Sequence, residues 1–125
     1  MSIAAYKDNI KKTSAPRDIE HKVLSQVTRS LENVSKEFNK NNKKNKILSN
    51  EVKNAVWENQ QLWIALKSDL IMEGNALPDE TKAALISLSI WIDKQSWNVI
   101  KGEGEITPLI DVNKRIIAGL QGQAV

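Results

Sequence analysis

The chain contains no cysteine, which excludes disulfides and thiolate metal sites. It has a single histidine, His21. A zinc site would then have to be built almost wholly from carboxylates, an unusual ligand set for that ion. Arginine is scarce, with only Arg17, Arg29 and Arg115, so the forked guanidinium contacts common in nucleic-acid readers are in short supply. No apolar run is long enough to cross a bilayer. The longest, ALISLSIWI from Ala84 to Ile92, contains two serines and falls well short of the ~20 residues a spanning helix needs. The opening MSIAAYKDNIKK mixes lysines with an aspartate and lacks the apolar core of a secretory signal. These absences predict a soluble, cytoplasmic protein without a membrane partner.

What is present fits one small domain. The chain has 125 residues, 41% hydrophobic and 26% charged, enough for a single core spanning 1–125. The formal net charge of +3 is unevenly placed. KEFNKNNKKNK, Lys36 to Lys46, holds five lysines against one glutamate, so the rest of the chain is close to neutral.

Sustained alternation of apolar and polar residues is absent, and the apolar residues recur at helical intervals instead. The pattern predicts an all-α fold, a small bundle of about five helices in a single domain. The first, short segment is expected at Ile3 to Lys11. The second opens at Ser14-Ala15-Pro16, with Asp18 and Glu20 behind the proline, a favourable start because proline lacks only an orphan donor and acids complement the positive helix end. Its stripe is Ile19, Val23, Val27, Leu31, Val34 and Phe38. Asparagines and clustered lysines then predict a basic loop at about 39–46. The third helix is expected from about Leu48 to Glu73, stopping at Gly74. A fourth should run from Leu77-Pro78 to near Gly102, and a fifth from Thr107, as N-cap, to Gly119-Leu120. Short connections favour antiparallel neighbours.

Two of these helices carry more apolar surface than one core contact requires. On the third, Leu48, Val52, Ala55, Leu62, Trp63, Leu66 and Leu70 share a side with Asn59, while Trp57, Ile64 and Ile71 fall opposite. On the fourth, Leu85, Leu88, Ile92 and Val99 share a side flanked by Ala84 and Trp91, while Ile86, Ile90 and Trp97 fall opposite. Two accounts fit. Both helices are central and covered on two sides, or the second stripes form a partner surface, with tryptophan as an anchor. The second account makes Trp57, Ile64, Ile71, Ile86, Ile90 and Trp97 the candidate partner-binding residues. Asn59 and Asn113 interrupt apolar stripes, and each must find a bonding partner if buried; a bond across the bundle that fixes helix register is the favoured role, and a bond to a partner's backbone is the alternative.

Catalytic chemistry has no visible foothold. His21 projects away from its helix's apolar stripe and reads as a surface residue. Lys101-Gly102-Glu103-Gly104 holds a Gly-x-Gly but no preceding strand or third glycine, so it reads as a helix stop and turn rather than a phosphate cradle. Glu58, Asp69 and Asp93 form no carboxylate pair. The expectation is a non-enzyme with no cofactor and no metal. Lys40, Lys43, Lys44 and Lys46 could contact nucleic acid through phosphates, but their segment offers only Phe38 for stacking, and the stripe assigns Phe38 to the core.

Four blocks, AYKDNIKKTSAPRDIE, ENQQLWIALKSDL, NALPDETKAALISLSIWI and LIDVNKRIIAGL, taken in order and spacing from about Ala5 to Leu120, resemble the FlaF family of flagellar biosynthesis regulators. The chain departs from that pattern in the lysine- and asparagine-rich loop, at Trp91 and Trp97, and in IEHKVLSQV. The resemblance implies a non-enzymatic role in flagellum assembly, promoting flagellin production and export alongside a second regulator, FlbT, with no catalytic residues to carry over. Joined to the surplus apolar stripes, it leads to the expectation of a flagellin-binding chaperone and regulator. The alternative is a post-transcriptional regulator acting on flagellin messenger RNA, through the basic loop or through FlbT. A homodimer that covers the second faces with itself is a third possibility.

Overall fold

The computed structural model describes residues 16–40 and 49–120. Among them the chain forms four helices and no strand: α1 (Pro16–Lys40), α2 (Asn50–Leu70), α3 (Asp79–Ile100) and α4 (Thr107–Leu120). The all-α expectation holds, with four helices where about five were expected; the short segment expected at 3–11 lies outside the described residues. No described helix is long and apolar enough to cross a membrane.

Each helix end has a local cause. α1 opens at Pro16 as the start signal predicts. It runs through Lys40 rather than breaking at Asn39. Phe38 is 4% exposed, and burial of this ring holds the last turn against the unfavourable asparagine and lysine that follow. α2 begins after Ser49, whose extended backbone and Oγ, accepting from the Val52 N–H at 3.3 Å, make a side-chain N-cap. The helix stops at Leu70, three residues before the expected Glu73. There Asn75 offers competing bonds: its Nδ2 donates to Asp69 Oδ2 at 3.2 Å and its Oδ1 accepts from the Leu77 N–H at 3.0 Å. Gly74, at φ 92°, lets the chain reverse within that link.

α3 has Pro78 in the capping position, one residue before the first helical turn, with Asp79 and Glu80 behind it. Its end is a Schellman motif. The Gly102 N–H donates to Val99 O and the Glu103 N–H to Asn98 O, both at 2.9 Å, and Gly102 takes φ 80°. The Gly-x-Gly is thus a helix stop. Thr107, expected as the cap of the last helix, lies inside its first turn instead. Ile106 stands before it, its carbonyl accepting from the Leu109 and Ile110 N–H groups while its side chain is fully buried. An apolar plug in the core sets this boundary in place of a polar cap.

The helices are arranged so that α2 packs on α1 and α3, and α1 packs on α2 and α4. α3 meets α4 only thinly, and the diagonal pairs have no close backbone approach among the described residues. The core runs through the middle, with Leu31, Val56, Ile92, Val99, Ile106 and Leu109 at its centre. A second cluster at the other end joins Leu24 and Val27 of α1 to Leu62 of α2. Burying side chains of this kind stabilises by about 1.5–3 kcal/mol each. Leu24 and Thr28 belong to the buried face of α1 although the stripe read from the sequence omitted them. Thr28 is admitted because its hydroxyl donates back to Leu24 O.

Across the α2–α4 diagonal runs a buried polar chain. Trp63 Nε1 donates to Asn113 Oδ1 at 2.9 Å, and Asn113 Nδ2 donates to Asn59 Oδ1 at 2.7 Å. The two asparagines therefore bond across the bundle, as their positions predicted. Asn59 Nδ2 is buried with no hydrogen-bond partner. Asn113 serves two bonds and Asn59 one, which predicts unequal costs on truncation. Asn113→Ala orphans both the indole N–H and the Asn59 carbonyl oxygen and should lower unfolding free energy by about 3 kcal/mol or more. Asn59→Ala also removes an unsatisfied amide and should cost only about 1–2 kcal/mol. Urea unfolding of the two variants, followed by circular dichroism, checks the ranking.

Candidate partner-binding face

The first face of α2 is core as expected. Val52, Ala55, Asn59, Leu62, Trp63 and Leu70 are buried and Leu66 is half-buried; Leu48 lies outside the described residues. Val56, Gln60 and Ala65 are buried as well. On α3 the sequence expectation needs correction. Ile92 and Val99 are buried, but Leu85 and Leu88 are only half-buried, and Ala84 and Trp91 are exposed. The buried line of α3 is Ser89, Ile92, Ser96 and Val99. Both serines satisfy themselves within the helix, Ser89 Oγ donating to Leu85 O at 2.9 Å and Ser96 Oγ to Ile92 O at 2.6 Å. Small side chains with satisfied hydroxyls let α2 approach closely, so α3 is held with little apolar bulk. Its larger apolar side chains are left over.

Those surplus side chains form one face with the second stripe of α2. Gln60 Nε2 donates to Asp93 Oδ1 at 3.3 Å and pins the register of the antiparallel pair. Trp57 lies three residues before Gln60, and Trp97 four after Asp93. At 1.5 Å per residue this brings both indoles to the same end of the α2–α3 cleft. Ile64 and Ile90 follow on the other side of the Gln60–Asp93 bond. Both line a cleft of about 280 Å³, with Trp63, Ser89 and Ile92 also in its wall and Lys67 and Lys94 beside them. Ile86 and Ile71 continue the two stripes toward the connecting turn.

Five of the six candidate residues are exposed: Trp57 at 57%, Trp97 at 51%, and Ile64, Ile71 and Ile90 with them; Ile86 is half-buried. Thus α2 and α3 are not covered on both sides by this chain's described residues. Met72 and Leu77 of the connecting turn, and Trp91 on another side of α3, are also exposed. From the sequence, Met72 and Leu77 fall at expected helix ends and in neither apolar stripe, and helical spacing places Trp91 on the flank of the core side, where the described residues leave it exposed.

The remaining candidate groups do not assemble. Lys40 ends α1, while Lys43, Lys44 and Lys46 lie outside the described residues. His21 is half-buried rather than freely solvated. Among the described residues no three His, Cys, Asp or Glu side chains are grouped to hold a metal ion.

Residues 2–120 match the family described as "Flagellar protein FlaF", nearly the whole chain. No curated protein and no solved structure matches.

Because their indoles are more than half exposed, Trp57→Ala and Trp97→Ala should each cost about 1 kcal/mol or less in unfolding free energy. Trp63→Ala, which empties the core and orphans Asn113, should cost about 3–5 kcal/mol. Chemical denaturation of the three variants measures the contrast, and a core-like loss at either exposed position would show that the face is structural.

Proposed function

The chain belongs to the FlaF family of flagellar proteins, and we propose on that premise that it binds flagellin in the cytoplasm as a chaperone and regulator. In this reading the α2–α3 face takes an amphipathic helical segment of flagellin and keeps it from assembling before export. The protein acts without catalysis or cofactor, and its regulatory effect on flagellin production is exerted alongside an FlbT-like partner.

One observation carries the proposal: Trp57 and Ile64 of α2, Ile71 at its end, and Ile90 and Trp97 of α3 are five large exposed apolar side chains, and Ile64 and Ile90 among them line a cleft. Exposed apolar patches of this kind mark interaction sites, and a groove between two helices suits the apolar stripe of a third. Burial of apolar surface supplies the affinity, at about 25 cal/mol per Å² before association costs are subtracted.

The test is direct binding of purified flagellin monomer to the full chain, by isothermal titration and by co-elution. A complex that persists at raised salt supports the reading. Trp57→Ala and Trp97→Ala should each weaken it by about 30-fold, the equivalent of ~2 kcal/mol for an anchor tryptophan. Replacing Lys40, Lys43 and Lys44 with glutamine should leave flagellin affinity unchanged. Flagellin that fails to bind, or RNA binding that those lysine changes abolish, would overturn it in favour of the messenger-RNA alternative.

A further inference from the structure

We infer that the occupant of the α2–α3 face is an amphipathic helix whose apolar stripe is flanked by carboxylates where it crosses Trp57 and Trp97. This rests on the reading of the face as a docking surface and adds the charge of its partner.

Lysines accompany the two apolar stripes. On α2, Lys53 and Lys67 stand seven residues either side of Gln60, so all three share the side of the helix that bears Trp57 and Ile64. On α3, Lys94 follows Asp93 directly, and Lys101 closes the helix four residues beyond Trp97. Lys53, Lys94 and Lys101 are exposed, and Lys67 is half-buried at the cleft. The Gln60–Asp93 register sets Lys53 level with Lys101 at the tryptophan end.

Among the described residues none of these four lysines has an ion-pair partner, and the one ion pair is Lys114 with Glu32, elsewhere in the bundle. The carboxylate in the middle of the face, Asp93, already accepts the Gln60 amide. Glu51 and Glu58 of α2 project well away from the stripe. Asp79 shares the α3 side but stands in the first turn, at the far end. At the tryptophan end the rim therefore carries Lys53 on α2 and Lys101 on α3 at one level, with Lys94 farther along α3 and the carboxylates Glu103 and Glu105 beyond the end of that helix. Such a rim repels cations and attracts carboxylates, fixing which helices dock and how fast they arrive. Concavity separates a helical partner from a lipid surface. Ile64 and Ile90 border a cleft between two helices, which accepts a ridge of side chains. A helix that lies on a bilayer instead presents a convex stripe.

The test uses synthetic 18-residue helical peptides with an identical leucine stripe, flanked by glutamate in one and lysine in the other. Binding of the fluorescein-labelled peptides to the full chain is read by anisotropy. The glutamate-flanked peptide should bind at least tenfold more tightly, and its advantage should shrink as salt is raised. The double variant Lys94→Glu, Lys101→Glu changes only exposed positions and should reverse the preference. Equal affinities, or a preference that survives the charge reversal, would overturn the inference. So would binding to vesicles containing anionic lipid without binding to either peptide, or a solution mass showing the face consumed in a dimer of this chain. Flagellin binding without any peptide charge preference would defeat this inference and leave the flagellin reading standing. A strong preference for the acidic peptide with no affinity for flagellin would do the reverse.

Discussion

The rotation of α2 about its own axis is the constraint on which the rest depends, and a chain of three buried polar groups sets it. Trp63 must place its indole N–H against Asn113, and Asn113 must reach Asn59. α2 and α4 have no close backbone approach, so only side chains pointing straight across the diagonal can make these bonds. Breaking either bond would leave further buried polar groups unpaired beside Asn59 Nδ2, at about 1–3 kcal/mol each, which penalises alternative rotations of α2. Leucine alone in these positions would fill the space but tolerate several angles. Once Trp63 points inward, helical geometry decides what Trp57 does. Six residues correspond to one and two-thirds turns, so the second indole emerges on a different side, with Ile64 and Ile71 in line behind it.

A second constraint follows from the first. α3 has α2 as its main neighbour, and the contact is built around Ser89, Ile92, Ser96 and Val99. Serines in a helix–helix contact trade apolar burial for close approach. Their hydroxyls bond within α3 and ask nothing of α2. The pair is held by shape and by the Gln60–Asp93 bond at its edge, which leaves the bulky residues of α3 free to face outward. A protein that needed those residues for stability would have turned them inward; here the narrow contact and the exposed tryptophans are two sides of one arrangement.

Much of this was legible in the sequence, for identifiable reasons. The stripes of α1 and α2 follow helical spacing, and the boundaries at Pro16 and Gly102 rest on backbone preferences that act locally, whereas the stop expected at Gly74 came three residues early. The second stripes were visible by the same periodicity. What escaped depended on neighbours. Leu88 does pack against the core, but Trp91, placed by period on the flank of the same face, is exposed, because period alone does not count the neighbours that cover a flank. Thr28, Ser89 and Ser96 look polar in sequence yet are buried, because an i−4 carbonyl satisfies each hydroxyl. Ile106 took the place expected for Thr107 because core burial outweighed capping chemistry worth about 1 kcal/mol.

The position of the polar groups also bears on how such a face avoids indiscriminate association. An uninterrupted apolar groove flanked by tryptophans would attract any oily segment, including another copy of itself. Here the middle of the cleft edge is a hydrogen-bonded carboxylate and amide, and its rims carry lysines. Two copies brought face to face would bring basic rims toward each other around Trp57 and Trp97, and the repulsion would act before apolar contact is complete. Desolvating Asp93 against a purely apolar ridge would add a further cost. The face therefore discriminates through what it repels as much as through what it buries, and that is the property a surface needs if it is to stay open in the free protein and close on one kind of helix.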